Sequence, residues 1–522
     1  VPKLITLVVF ATLLAGLLAL PIMTPIQTRP LHAQDSDYEP QFEFGPCFTP
    51  FPEEEIVSVT YDCGLLTVPE DRSNPDGRQV ELAVVILYAT GPEPADSPIV
   101  YLEGGPGGSA VLGFDAWLYS PYRETFDIIL IDQRGTGFSL PSLDCYELLE
   151  AEEDEDPLVQ SQACYDRLVE AGVNLASYNS AENADDIADL IVALDYEQAN
   201  LYGISYGTRL ALTVMRDRPE RVRAVVLDST YPPNVQGYEE QAPNAQRAFD
   251  TLFEYCQEDS ECNSAYPNLD VMFYDTVEEL NENPALVSDF DPATDEEYEY
   301  DVYGDDLVNS IFSAMYSTQL VPFLPAVIDA AAAGEYEVAF DLLDGLYIDD
   351  ESDAPYFDMY EFLTDEEIDY FTSISDAEGM FNAVECFEEV HFNSLDVMFE
   401  GEGEMEDIIF ETMMIDNESM FDECVIWGAV VSDGLENAAV ESDIPTLVLA
   451  GDFDPITPPG WGEVATETLS NSYFYTFPGV GHGAIDGGEC PVQIGIDFLM
   501  EPTTEPDTSC LDKMSGPAFY IR

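Results

Sequence analysis

The chain has 522 residues, 46% of them hydrophobic, enough to bury a large core in two domains or in one domain with a big insertion. It carries 105 Asp and Glu against 15 Lys and Arg, a formal charge of −90, and Lys3 and Lys513 are the only lysines. Such a surface repels phosphate backbones and anionic membranes, which excludes nucleic-acid binding.

Lys3 precedes an apolar stretch from Leu4 to Leu20, followed by Pro21, Pro25 and Leu31-His32-Ala33. A positive start, an apolar stretch and a small residue before the cut are the parts of an export signal, expected over residues 1–33. The stretch is close to the minimum for a membrane span, so membrane attachment is expected only if this segment stays uncleaved. The destination is then secreted, periplasmic or at the cell surface. Ten cysteines fit an oxidising compartment, and an even count there implies disulfides. Spacing does not fix their connectivity. The working assignment pairs sequence neighbours: Cys47 with Cys63, Cys145 with Cys164, Cys256 with Cys262, Cys386 with Cys424, and Cys490 with Cys510. No pair has the C-x-x-C spacing of a zinc site, and no metal or cofactor is expected.

Residues 34–230 read as the first part of a sheet domain. A lead rich in Pro and acid, Gln34 to Glu54, gives way to strand-like runs at Ile56–Tyr61, Leu65–Val68, Val80–Tyr88, Ile99–Leu102 and Asp127–Ile131. The early runs predict an antiparallel pair or meander. From Ile99 onward strands alternate with helical patterns, such as Ala181–Leu194, which predicts a parallel sheet covered on both faces. Further apolar runs are Leu201–Gly203, Ala224–Leu227 and, within residues 441–522, Thr446–Ala450 and Tyr473–Phe477.

Residues 231–440 differ in character. They hold roughly fifty acidic residues and one basic residue, Arg247. Helical periodicity recurs, as in Leu307-Ile311-Met315, and Pro322 and Pro325 mean that any helix nearby is kinked or starts after them. The stretch is expected to be a mainly helical insertion over the C-terminal edge of the sheet, where such sheets bind ligands. Its acidic clusters, Asp289–Asp301 and Glu402–Asp407, lack the spacing of a calcium loop and are expected to be solvated faces.

Ser205 lies in Gly203-Ile204-Ser205-Tyr206-Gly207, after a strand-like run and before a helical one. A nucleophile elbow needs this layout, because small residues must flank a serine on a sharp strand-to-helix turn. The motif alone is weak, since G-x-S-x-G arises by chance in roughly one chain in ten of this size. Order adds the weight. On such a sheet the acid and the histidine follow the serine. Thr446–Ala450 runs into Gly451-Asp452-Phe453-Asp454-Pro455, and Tyr473–Phe477 runs into Gly481-His482-Gly483. His482 is the expected base; His391 lies inside the acidic stretch. Asp454 is preferred over Asp452 as the acid, because it is further along the loop and precedes a rigid Pro. Asp452 is expected to brace the loop through backbone bonds. The Tyr206 N–H is one expected oxyanion donor. The Gly105 N–H is the other, from the loop Glu103-Gly104-Gly105-Pro106-Gly107-Gly108-Ser109 after strand Ile99–Leu102. A phosphate cradle is a poor fit to this loop, which has no Gly-Lys-Ser/Thr and little positive charge near it.

Glu103–Ser109, Asp132-Gln133-Arg134-Gly135-Thr136-Gly137, Gly203–Arg209 and Gly451–Pro458 together resemble the prolyl iminopeptidase and tripeptidyl aminopeptidase group of α/β-hydrolase serine peptidases. The resemblance runs from about Val80 to Thr230 and from Glu441 to Leu511, where Cys490 and Cys510 match the group's C-terminal segment. It implies an α/β-hydrolase fold and hydrolysis of peptides from a free N-terminus, with an acidic insertion suited to an ammonium group. The prolyl iminopeptidase pattern has His before Gly-Gly-Pro-Gly, whereas this chain has Glu103, which favours the tripeptidyl type and makes Glu103 a candidate substrate contact. Asp132 and Arg134 are expected to brace their loop as an ion pair. An esterase or other small-molecule hydrolase with the same triad is the alternative, because fold does not fix substrate.

Overall fold

Three runs, Ile99–Leu102, Ile128–Ile131 and Thr446–Gly451, are buried along their whole length. Strands this apolar need cover on both faces, the condition of a parallel sheet sandwiched between helices. The computed structural model describes residues 38–522 apart from 150–155, 291–296, 344, 346–356, 358, 402, 404, 429–431 and 433. The expected signal at 1–33 and parts of both acidic clusters lie outside the described residues.

The strands are β1 (Gln41–Gly45), β2 (Tyr61–Pro69), β3 (Gln79–Leu87), β4 (Ile99–Leu102), β5 (Ile128–Ile131), β6 (Ala199–Ile204), β7 (Val222–Asp228), β8 (Ala285–Phe290), β9 (Glu297–Val302), β10 (Thr446–Gly451) and β11 (Ser472–Phe477). Nine form one sheet in the order β1-β2-β3-β5-β4-β6-β7-β10-β11. β1, β2, β3 and β5 pair antiparallel in succession, and every pairing from β5 to β11 is parallel. Successive residues alternate between the two faces. Val84, Leu102 and Ile129 enter one core, with Leu190 and Leu210. Val85, Tyr101 and Leu130 enter the other, with Trp117 and Phe498.

Two helices of the first core matter for the site: α1 (Ser180–Ala193) and α2 (Tyr206–Asp217). Asn179 caps α1 by accepting the Glu182 N–H at 2.9 Å. Between β7 and β10 the chain builds a separate helical layer, which includes α3 (Gly237–Glu258), α4 (Glu378–Glu388) and α5 (Asp407–Trp427). Around α3 this layer has its own core, with Phe249, Phe273, Ile311, Val327 and Phe410, which Phe453 of the loop after β10 joins, whereas Met380 and Val384 of α4 and Trp427 of α5 pack into the first sheet core.

One expectation needs correction. Ile56–Tyr61 is not a strand: the ladder begins at Tyr61, and Ile56, Val57 and Val59 are exposed. Without a buried face, their β-branched side chains do not make a strand. The acidic stretch also contains a hairpin, β8–β9, which takes up part of the Asp289–Asp301 cluster. The five disulfides are those of the nearest-neighbour pairing. Among the described residues, no helix is long and apolar enough to cross a membrane.

Candidate active site

Ser205 joins the end of β6 to the start of α2 with φ 56° and ψ −127°, a conformation unfavourable for any residue with a side chain. The flanking glycines make the turn possible. A Cβ on Gly203 would stand 2.3 Å from the Gly207 carbonyl oxygen, and one on Gly207 would stand 2.0 Å from that of Leu102. Neither position accepts even alanine without moving backbone. The Tyr206 N–H opens α2, so the positive end of the helix dipole lies beside the serine.

The histidine and the preferred acid come together. His482 Nδ1 lies 2.9 Å from Asp454 Oδ2, and the Asp454 side chain is fully buried. Asp454 is further held by the N–H groups of Ile456 and Thr457 and by the Thr457 hydroxyl, 2.8 Å from Oδ2. The Thr457 hydroxyl is also 3.1 Å from His482 Nδ1. Burial alone would raise the Asp454 pKa, but His482 and the Thr457 bonds outweigh it and hold the carboxyl below its ordinary value. For His482, burial pulls the pKa down, while Asp454, Asp228 and Asp486 pull harder and raise it. With Nδ1–H donating to Asp454, Nε2 is the free acceptor, the tautomer a general base requires.

Asp228, at the end of β7, links serine and histidine. Its carbonyl accepts the Ser205 N–H at 3.1 Å. Its carboxylate accepts the Ala484 and Ile485 N–H groups at 2.5 and 3.0 Å and the Tyr202 hydroxyl at 2.8 Å. Burial pushes its carboxyl up to about 6. Ser229 Oγ accepts the Gly483 N–H at 2.8 Å. Two adjacent residues thus fix both the elbow and the loop that carries His482.

The Gly-rich loop lies against the serine: a Cβ on Gly104 would come within 3.0 Å of Ser205 Cβ. The N–H groups of Gly105 and Tyr206 donate to no acceptor among the described residues. Glu103 braces this loop, with Oε1 accepting the Gly104 N–H at 2.8 Å and Oε2 accepting the Tyr101 hydroxyl at 3.0 Å. Burial raises its pKa.

Asp132 and Arg134 do not pair with each other. Asp132 accepts the Ser109 hydroxyl and the Val111 and Phe138 N–H groups. Arg134 forks onto Asp186 of α1 with two bonds of 2.8 Å. The Asp452 carboxylate accepts a backbone N–H from the neighbouring loop after β11 rather than from its own, that of Gly479 at 2.7 Å. His391 is exposed on a short turn after α4.

The segment between β7 and β10 touches each of these loops. The Ser109 N–H donates to Ser375 O, and the Ala377 N–H donates to Gly107 O, both at 3.0 Å. The His482 N–H donates to Tyr316 O at 2.9 Å, and the Tyr316 ring packs on the imidazole with centroids 5.1 Å apart. Glu388 of α4 accepts the Ser180 hydroxyl, which in turn bonds the Tyr206 hydroxyl at 2.8 Å. Arg209, buried on α2, donates to Glu389 at 2.7 Å. Sequence reasoning missed Asp228, Thr457 and Tyr316. Only Asp228 left a signal, as an acid directly after the apolar run Ala224–Leu227.

Comparison with known proteins agrees with this architecture. A family model described as the alpha/beta hydrolase fold matches residues 97–322, and one described as TAP-like protein matches residues 412–510. The chain is 25% identical over 492 residues to serine protease Hip1 of Mycobacterium tuberculosis, covering 89% of each. It is 32% identical over 196 residues to tripeptidyl aminopeptidase of Streptomyces coelicolor, covering 33% of this chain and 35% of that protein. It is 26% identical over 484 residues to carboxylesterase B of M. tuberculosis, covering 86% and 85%.

Proposed function

The chain belongs to the serine hydrolases of the α/β-hydrolase fold, and on that premise we propose that it is an exported serine peptidase releasing short units from the free N-terminus of peptides. In this reading Ser205 Oγ attacks the scissile carbonyl while His482 Nε2 takes its proton. His482 then returns that proton to the leaving amine, and water hydrolyses the acyl-enzyme by the same route. Asp454 holds the imidazole tautomer and stabilises the imidazolium. The N–H groups of Gly105 and Tyr206 receive the oxyanion, and the dipole of α2 adds to their field.

The observation that carries the reading is the buried Asp454–His482 pair, whose histidine loop is held by Asp228, the residue that also anchors Ser205. The likeness to a serine protease over nearly the whole chain supports peptide chemistry. Residues 231–440 act as an acidic cap in this account, and its carboxylates suit an ammonium group better than a neutral lipid ester. The likeness to a tripeptidyl aminopeptidase favours a three-residue unit. Five disulfides support action outside a reducing cytoplasm.

A second reading, an esterase with the same triad, is favoured by the likeness to carboxylesterase B. A panel of aminoacyl and tripeptidyl amides beside short-chain esters separates the two. Amide cleavage that disappears in Ser205→Ala, together with loss of labelling by a serine-directed phosphonate, is the expected result. Ester turnover without any amide cleavage would overturn the peptidase reading.

A further inference from the structure

Residues 231–440 contain a single basic side chain, Arg247, among roughly fifty carboxylates. It sits on α3 and makes no ion pair with a carboxylate among the described residues. Its guanidinium goes instead to main-chain carbonyls of the loop after β10. Nη1 donates to Asp452 O at 2.8 Å, and Nη2 donates to Asp454 O. Two turns further along the same helix, the Tyr255 hydroxyl donates to the Asp452 carboxylate. Two carbonyls two residues apart are spanned by a planar fork, which a single ammonium cannot reproduce.

We infer that Arg247 is a positioning residue for the triad acid: it fixes the main chain of Asp454, and its charge tempers the basicity that Asp454 confers on His482. This rests on Asp454 being the acid. Asp454 is fully buried, so its charge is screened by neighbouring groups rather than by water. Arg247 and an imidazolium at His482 compete for that charge. Removing the guanidinium strengthens the imidazolium and raises the His482 pKa. The other groups facing the imidazole add to this: Asp228 from β7 and Asp486 from the following turn raise its pKa, and Glu103 lies within electrostatic reach. Tyr316, across the ring, stays neutral, because burial pushes its phenol up. On the guanidinium itself burial pulls the pKa down while Asp454 and Asp452 push it up, and an arginine stays charged throughout.

The test uses the full chain with Arg247→Met and Arg247→Lys, assayed on the best substrate of the panel above. For Arg247→Met the expected result is a kcat loss of about ten- to a hundredfold with little change in KM, as for a displaced catalytic group. The acid limb of kcat/KM moves to higher pH, and added guanidinium at low millimolar concentration restores part of the rate. Arg247→Lys keeps the charge and loses the fork, so kcat falls while the acid limb stays in place. Wild-type kcat and pH profile in both variants would overturn the assignment. So would a fall uniform across pH that matches a loss of folded protein by circular dichroism. Should Arg247→Met fail to fold, the Lys variant decides: lowered kcat at wild-type folded content supports the role, and wild-type kcat refutes it. Ser205→Ala keeps the two readings apart, since activity surviving that change would refute the triad itself, whatever Arg247 does.

Discussion

Ser205 holds a backbone conformation that its own side chain disfavours, and two glycines on either side of it cannot be replaced without backbone movement. The strain is concentrated where the nucleophile must stand clear of the sheet. In the proposed mechanism His482, as the base, sets the pH dependence. His482 lies above its ordinary pKa because three carboxylates outweigh burial. Catalysis needs the neutral imidazole, so kcat/KM is expected to fall as pH drops through a value above about 6.5. A pH–rate profile checks this; an acid limb at or below the ordinary imidazole value would contradict it. The stability terms have opposite signs. A raised His482 stabilises the fold below its unfolded pKa, and that contribution is lost as pH rises through the folded value. A lowered Asp454 stabilises the fold above its unfolded pKa, and that contribution is lost as pH falls. The placement of Ser205, Asp454 and His482 was legible because each follows a strand in a short Gly- or Pro-marked loop. Thr457 was not, because no local pattern says that a hydroxyl three residues after an acid will reach an imidazole from another loop.

At the level of elements, the parallel part of the sheet was legible from its wholly apolar runs, and α1 from its periodicity. The first strands were misplaced, because Ile56, Val57 and Val59 mimic a strand without having a core face. How the helical layer engages the site was not legible. Gly107 meets Ala377, and Asp454 meets Arg247, across more than two hundred residues of chain. Pairings of that range leave no mark in local sequence. They bring α3, the start of α4 and the Met315–Thr318 turn onto three separate loops of the site, those of Asp454, Gly107 and His482. The disulfide between Cys386 and Cys424 ties α4 to α5 within this layer. The layer is therefore strapped to the loops it covers rather than hinged over them.

Among the described residues, several of the few cations sit with buried carboxylates. Arg72 meets Glu182, Asp185, Asp186 and Asp189 of α1, and Arg209 and Arg216 are placed similarly. The net charge of −90 is left for the surface, where self-repulsion opposes the compact state. Counterions screen it, so the melting temperature at neutral pH is expected to rise with added NaCl; a flat or falling response would show that repulsion is not limiting. The same excess of carboxylates underlies the central claim, that a cationic peptide N-terminus is what Ser205 acts beside. The most direct test is timed mass spectrometry of one peptide and its N-acetylated twin, digested in parallel. Short N-terminal fragments are expected to leave the free peptide stepwise, with little cleavage of the acetylated one. Equal cleavage of the two, or cuts scattered through the interior, would contradict it.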